Sequence, residues 1–231
     1  MNKMQNTDAD RTLRESFGAA GKSYGYDSVS AEFREFKEFK VKWSRSNGWA
    51  DFEVSDYTKD APPDVLEELA KMIFSRISGK EDDYPEAFIS WITADEFVRN
   101  KQSVYLSRCR NVTRTPVGKY IDLNGSYDRL EGLGLVKRDV DTVINWTKQP
   151  NVKRVGYCSV LMKVVTISSV FDDPSIPEFV SDFVLYHELI HIKKGFDPFG
   201  RKHGPDFRTL ERLHPQYKEA EDWLKRLRLY V

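Results

Sequence analysis

Only two cysteines, Cys109 and Cys158, occur in the 231 residues of this chain. They cannot build a disulfide framework or a four-cysteine zinc ribbon. An excess of charge of one sign is missing as well. Thirty-six Lys and Arg face 36 Asp and Glu, so the formal net charge is zero and no global field draws the chain to nucleic acid or to an anionic membrane. No apolar run approaches the roughly 18 residues a spanning helix needs. The opening stretch MNKMQNTDADRTLRESFG has no apolar core of a secretory signal. These absences lead us to expect a cytoplasmic protein with no membrane segment. An apolar content of 40% and a charged content of 31% are ordinary for a globular chain with a real core.

Residues 1–28 are polar and dotted with glycine, and we expect them to be a flexible N-terminal segment. Residues 29–100 read as an N-terminal α/β region. FKVKW alternates, SRSNG is a turn and WADFEVS alternates again, which predicts a hairpin over 38–56. DAPPDVLEELAKMIFSRISGK then reads as a helix entered by proline and left at Gly79. Segment 88–98 fits either a strand or a helix. Residues 101–231 form the third region. Strands are expected in 101–119 and in YIDLNGSY, a short helix at 140–146, and a hairpin in VGYCSVLMKVVTIS. A helix follows, with Ser175 and Glu178 as its capping box and Pro177 in its first turn. Its apolar face comprises Phe179, Val180, Phe183, Val184, His187, Ile190 and His191, and Gly195 stops it. After the loop FDPFGRK, HGPDFRTLERL reads as a short helix. A last helix is expected to bury Tyr217, Ala220, Trp223, Leu224 and Leu227.

A faint echo links the two halves: a tryptophan, a hairpin ending in Ser, an Asp-Pro segment, an apolar helix and Gly recur from Trp43 to Gly79 and from Trp146 to Gly195. The first pass has no histidine. Two copies alone do not establish a repeat.

Histidine is scarce too, and here scarcity is informative. All four histidines lie between 187 and 214, and two stand four apart in DFVLYHELIHI. Polar groups on an apolar helix are costly unless satisfied, and a metal ion would satisfy them. One turn of helix advances about 5.4 Å, so residues i and i+4 project together. His187 and His191 can therefore bind one Zn2+ ion. Glu188, turned about 100° away, misses the metal but can take a proton from a water beside it. This is the mechanical content of H-E-x-x-H on a helix.

Catalytic zinc takes three protein ligands. His203 is favoured as the third because it follows the helix stop at the entry of the next helix. Glu211 is the rival ligand, or else holds a ligand imidazole through its other nitrogen. Tyr217 is a candidate oxyanion donor, although its helical period places it in the core. His214 reads as a helix-end histidine, Cys158 as an inert strand cysteine, and Trp43 and Trp146 as packing residues.

The stretch GYCSVLMKVVTIS…DFVLYHELIHI…HGPDF, within roughly 140–228, resembles the SprT-like metallopeptidases, which include proteases acting on DNA-crosslinked proteins. It is also similar to the minigluzincins, which share a strand preceding the motif helix. The SprT-like resemblance implies His187, His191 and His203 on zinc and Glu188 in catalysis. The minigluzincin pattern would place a helix glutamate third, here Glu211.

We therefore expect an α+β fold, with a small mixed or antiparallel sheet packed on the motif helix and C-terminal helices closing a zinc cleft. The expected activity is zinc-dependent hydrolysis of peptide bonds in a polypeptide substrate, bound extended along an edge strand. The arm Met162–Ile167 or its partner is the expected edge. One alternative is a latent or non-catalytic zinc-binding protein. Another is a DNA-associated repair protease using the basic stretch Lys101, Arg108, Arg110, Arg114 and Lys119; five cations imply at most weak, salt-labile DNA binding.

Overall fold

The computed structural model describes residues 2–80, 83–198 and 202–227; residues 199–201 of the expected FDPFGRK loop lie outside them. The fold is α+β. Among the described residues it has eight α-helices and two three-stranded mixed sheets. The chain divides into two compact units between Phe97 and Val98.

Unit 1 begins with helix α1 (Asn2–Ser23), where the sequence led us to expect flexible chain. Leu13, Phe17 and Ala20 recur at helical spacing and are buried, so three apolar positions anchor an otherwise polar helix. Strands β1 (Ser28–Arg34), β2 (Val41–Ser46) and β3 (Trp49–Ser55) follow. The β2–β3 hairpin is as expected, turning at Gly48 with φ +77°. Strand β1 adds parallel to β3, giving the order β1-β3-β2. A short 3-10 helix (Asp56–Thr58) leads to α2 (Pro63–Ile77). Phe17, Phe52 and Phe74 interlock at the centre, with Phe52 4.9 Å from Phe17 and 5.0 Å from Phe74. The ambiguous segment resolves into two helices, α3 (Glu86–Thr93) and α4 (Asp95–Arg108).

In unit 2 the local readings need more correction. Residues 101–108 complete α4 rather than form a strand, so the basic stretch is not a hairpin face. Arg114 has φ +64° and turns its guanidinium back to the Leu106 and Ser107 carbonyls at the end of α4. LNGSY opens α5 (Leu123–Gly132), capped by the Asp122 carboxylate accepting from the Asn124 N–H. The expected helix near 140–146 is strand β4 (Val143–Trp146). Four residues are too few to carry a decisive period. Strands β5 (Gly156–Ser159) and β6 (Val164–Ile167) form the expected hairpin. The order is β4-β6-β5, with β4 parallel to β6. The arm ending at Ile167 is thus the buried central strand, and its partner β5 is an edge.

After a 3-10 helix (Ser169–Phe171), α6 runs from Glu178 to Lys194. The expected capping box does not form: Pro177 precedes the first helical residue, and the Ser175 hydroxyl donates to Asp173 at 2.7 Å. Glu178 instead pairs with Arg129 at 3.2 Å. The same guanidinium grips buried Asp182 through Nε and Nη2 at 2.7 and 2.8 Å, fastening α5 to α6. Ile144, Trp146, Val165 and Ile167 face Val180, Val184, Leu185 and Leu189 in one core. Helices α7 (Pro205–Glu211) and α8 (Tyr217–Leu227) complete the unit. On α8 only Ala220 is fully buried; Trp223, Leu224 and Leu227 flank the core half-buried. Trp146 is buried as expected, but Trp43 is 49% exposed on its edge strand. Among the described residues no helix is long and apolar enough to cross a membrane.

Candidate metal centre

Gly195, at φ +74°, stops α6, and the chain returns through His203 into α7, which starts with proline in its first turn. The Tyr186 hydroxyl donates to the Leu210 carbonyl at 2.7 Å and holds α7 against α6. The consequence is a cluster of three imidazoles. His203 Nε2 lies 3.1 Å from His191 Nε2 and 3.2 Å from His187 Nε2. Tetrahedral coordination at about 2.0–2.1 Å separates ligand nitrogens by about 3.3–3.4 Å, so the three are spaced for one small ion.

Proton counting supports the fit. His187 Nδ1 is 2.7 Å from Glu211 Oε1. A carboxylate there can only accept, which places the ring proton on Nδ1 and leaves Nε2 bare. One N–H on His203 can serve only one of its two neighbours. The cluster therefore holds lone pairs facing one another, and a cation would satisfy them. Burial pushes His191 down to about 4 and also lowers His203. Both rings are thus held neutral, the state a metal ligand needs.

All three rings rest on Phe207, which is fully buried, with centroid distances of 4.9, 4.4 and 4.9 Å for His187, His191 and His203. Sequence reading gave Phe207 no role. Its signal was its place four residues after His203, one helical turn into α7.

Glu188 points from α6 toward β5 and is only 6% exposed. Burial raises its carboxyl above the usual range, opposed by His187, by a hydrogen bond from the Cys158 thiol and by Arg154. Burial and the Glu188 charge push the Cys158 thiol up in turn, so this cysteine is a neutral donor and no nucleophile. Strand β5 approaches closely at Gly156: a Cβ there would stand 2.8 Å from Glu188 Oε1 and 2.8 Å from Val184 Cγ1.

The hairpin register also fixes which main-chain groups of β5 remain open. The Ser168 N–H donates to the Val155 carbonyl at 2.8 Å, so Val155, Tyr157 and Ser159 turn their main-chain groups to β6. By antiparallel alternation Gly156 and Cys158 turn theirs outward at the edge.

The structure thus brings His187, Glu188, His191, His203 and Glu211 together. Glu211 meets the ring from behind and is not among the converging ligand atoms. The Tyr217 ring packs on Phe183 at 5.7 Å and its hydroxyl is engaged by Glu221 and Arg212. His214 is buried against Phe183 and Tyr186, a core residue and not a helix-end charge. No known family model, curated protein or solved structure matches this chain.

Proposed function

We propose that the protein is a zinc-dependent metalloendopeptidase of the SprT-like kind. The observation that carries this reading is the convergence of three Nε2 atoms next to a buried glutamate under an open strand edge. His187, His191 and His203 would hold Zn2+, and Glu211 would fix the His187 tautomer. That His203 joins the cluster while Glu211 bonds Nδ1 favours the SprT-like comparison over the minigluzincin pattern.

Bound zinc would acidify water and polarise a peptide carbonyl. The chain's own groups supply the rest. The outward N–H and C=O groups of Gly156 and Cys158 can pair with an extended polypeptide, as a strand adds to a sheet edge. This sets a peptide bond over Glu188. The carboxylate takes a proton from water as the water oxygen adds to the carbonyl carbon. It then returns that proton to the amine nitrogen as the C–N bond breaks. Burial suits Glu188 to this work because a raised proton affinity makes a stronger base, and the Cys158 thiol holds the carboxylate toward the strand.

Metal analysis together with casein cleavage by wild type and Glu188→Gln tests the reading. One zinc per chain with cleavage lost only in the variant is the expected result. Cleavage that survives the substitution overturns it.

A further inference from the structure

Unit 1 repeats the architecture of unit 2. Each runs helix, strand, strand, strand, 3-10 helix, helix. In each sheet the third strand is central, the first lies parallel to it and the second antiparallel at the other edge. The match extends to single hydrogen bonds. The Ser55 N–H donates to the Lys40 carbonyl at 3.0 Å where β2 meets β3, and the Ser168 N–H donates to the Val155 carbonyl at 2.8 Å where β5 meets β6. In this register Val41 and Trp43 stand where unit 2 has Gly156 and Cys158. The final helices, α2 and α6, both start directly after a proline, Pro62 and Pro177. Aligned on those prolines, His187, Glu188 and His191 become Met72, Ile73 and Arg76, none of them a zinc ligand or base. The faint sequence echo is therefore a structural repeat whose first copy has no metal chemistry.

What that copy keeps is the edge. With Lys40 and Ser55 a hydrogen-bonded pair, alternation turns the main-chain groups of Val41, Trp43 and Arg45 outward. Among the described residues β2 has no neighbour on that side. Trp43 shares the helix-facing side of the sheet with Phe52, its partner in register, but lies beyond the cover of the helices and is half exposed. The Arg45 guanidinium sits 5.8 Å from the Trp43 ring. Lys40, Lys42 and Arg45 supply three cations with no acid between them. Lys42 alone of these pairs with a carboxylate among the described residues, Glu53 at 3.6 Å. Lysines on an edge discourage pairing with a like-charged copy, so a second β2 is a poor occupant. A large exposed aromatic beside outward N–H and C=O groups does the reverse for a strand of opposite charge.

We propose that β2 is a second, non-catalytic docking edge that takes an extended, acidic polypeptide segment by strand addition. Main-chain hydrogen bonds to Val41, Trp43 and Arg45 would supply affinity. The Trp43 ring would anchor an apolar side chain on one face, and Lys40 and Lys42, on the opposite face, would select carboxylates on its neighbours. The likeness to β5 as a substrate strand rests on the reading above; the open edge of β2 does not.

The test uses the full chain carrying Glu188→Gln, in EDTA, with a fluorescein-labelled peptide of alternating glutamate and valine, read by anisotropy. Trp43→Ala should weaken binding about tenfold, the scale of one aromatic anchor. Arg45→Pro, which removes one outward N–H and leaves the β3 ladder intact, should do so as well. Of the two forms of the same peptide N-methylated at alternate residues, the one whose methyls face β2 should bind the unaltered edge at least tenfold more weakly while the other binds like the parent, an arm that needs no folded variant. Adding zinc should change nothing, so the result is independent of whether the metal centre cuts peptides. Equal binding by both variants, equal binding of the N-methylated peptides, or displacement of the peptide by single-stranded DNA through a Trp43-dependent site would each overturn the proposal.

Discussion

His187 Nδ1 and Glu211 Oε1 stand 2.7 Å apart, joining the motif helix to the helix that follows His203. The contact holds the imidazole so that its free lone pair faces the other two rings. Removing an outer partner of this kind costs about 10- to 100-fold in metal affinity. Glu211→Gln should therefore weaken zinc binding by that order, measured by competition with a chromophoric chelator. His203→Ala should weaken it further, because a ligand itself is lost. The reverse ranking would make Glu211 the ligand.

Glu188→Gln should retain one zinc per chain while peptide cleavage falls by about 10^2–10^4-fold, the range for loss of a positioned general base. Glutamine keeps the shape and the ability to accept from the Cys158 thiol but cannot take up a proton. Zinc content by mass spectrometry and turnover on casein separate the two effects.

Gly156→Ala should damage activity without touching a ligand. The added methyl would crowd Glu188 Oε1 and Val184 Cγ1, each at 2.8 Å. The carboxylate must move or the strand must lift. A loss of about 1–3 kcal/mol in stability is the usual cost of such overpacking. Zinc affinity near that of wild type, with cleavage sharply reduced, is the expected pair of results. Unchanged cleavage would mean that the strand stands farther from Glu188.

Acid should loosen the metal-free fold, and His214 gives a sign that can be checked. Burial lowers its folded value below the ordinary imidazole range of about 6.5, with Asp182 opposing. The unfolded chain then binds the proton more readily. Stability is highest above about 6.5 and declines as pH falls from there toward the lower folded value. In EDTA, the fall of Tm between neutral pH and pH 5 should be shallower for His214→Gln than for wild type. An identical slope would remove His214 from the acid response.

The candidate site was more legible in the sequence than the fold around it. H-E-x-x-H states its geometry directly, because helical spacing alone puts His187 and His191 on one face. His203 followed from the return of the chain after Gly195. Phe207 and the role of Glu211 depend on where α7 docks, which no local pattern encodes. The misread segments share a cause. β4 is too short for a period, α1 is anchored by few apolar residues, and the basic stretch 101–119 has cations where burial usually speaks. Tertiary contacts decided all three. For β5 and β6 the hairpin was clear, but which arm lay at the edge turned on β4 arriving in parallel, a long-range pairing.

Phe207 bears on which ions the centre would refuse. A single ring lies against all three imidazoles and shuts one flank of the cluster, so further ligands cannot enter from that side. Magnesium and calcium demand six or more oxygens around them, and this pocket offers three nitrogens and a hydrocarbon wall. Selectivity would then come from a residue that touches no metal: softening the wall, as in Phe207→Ala, should broaden the range of ions accepted before it abolishes binding.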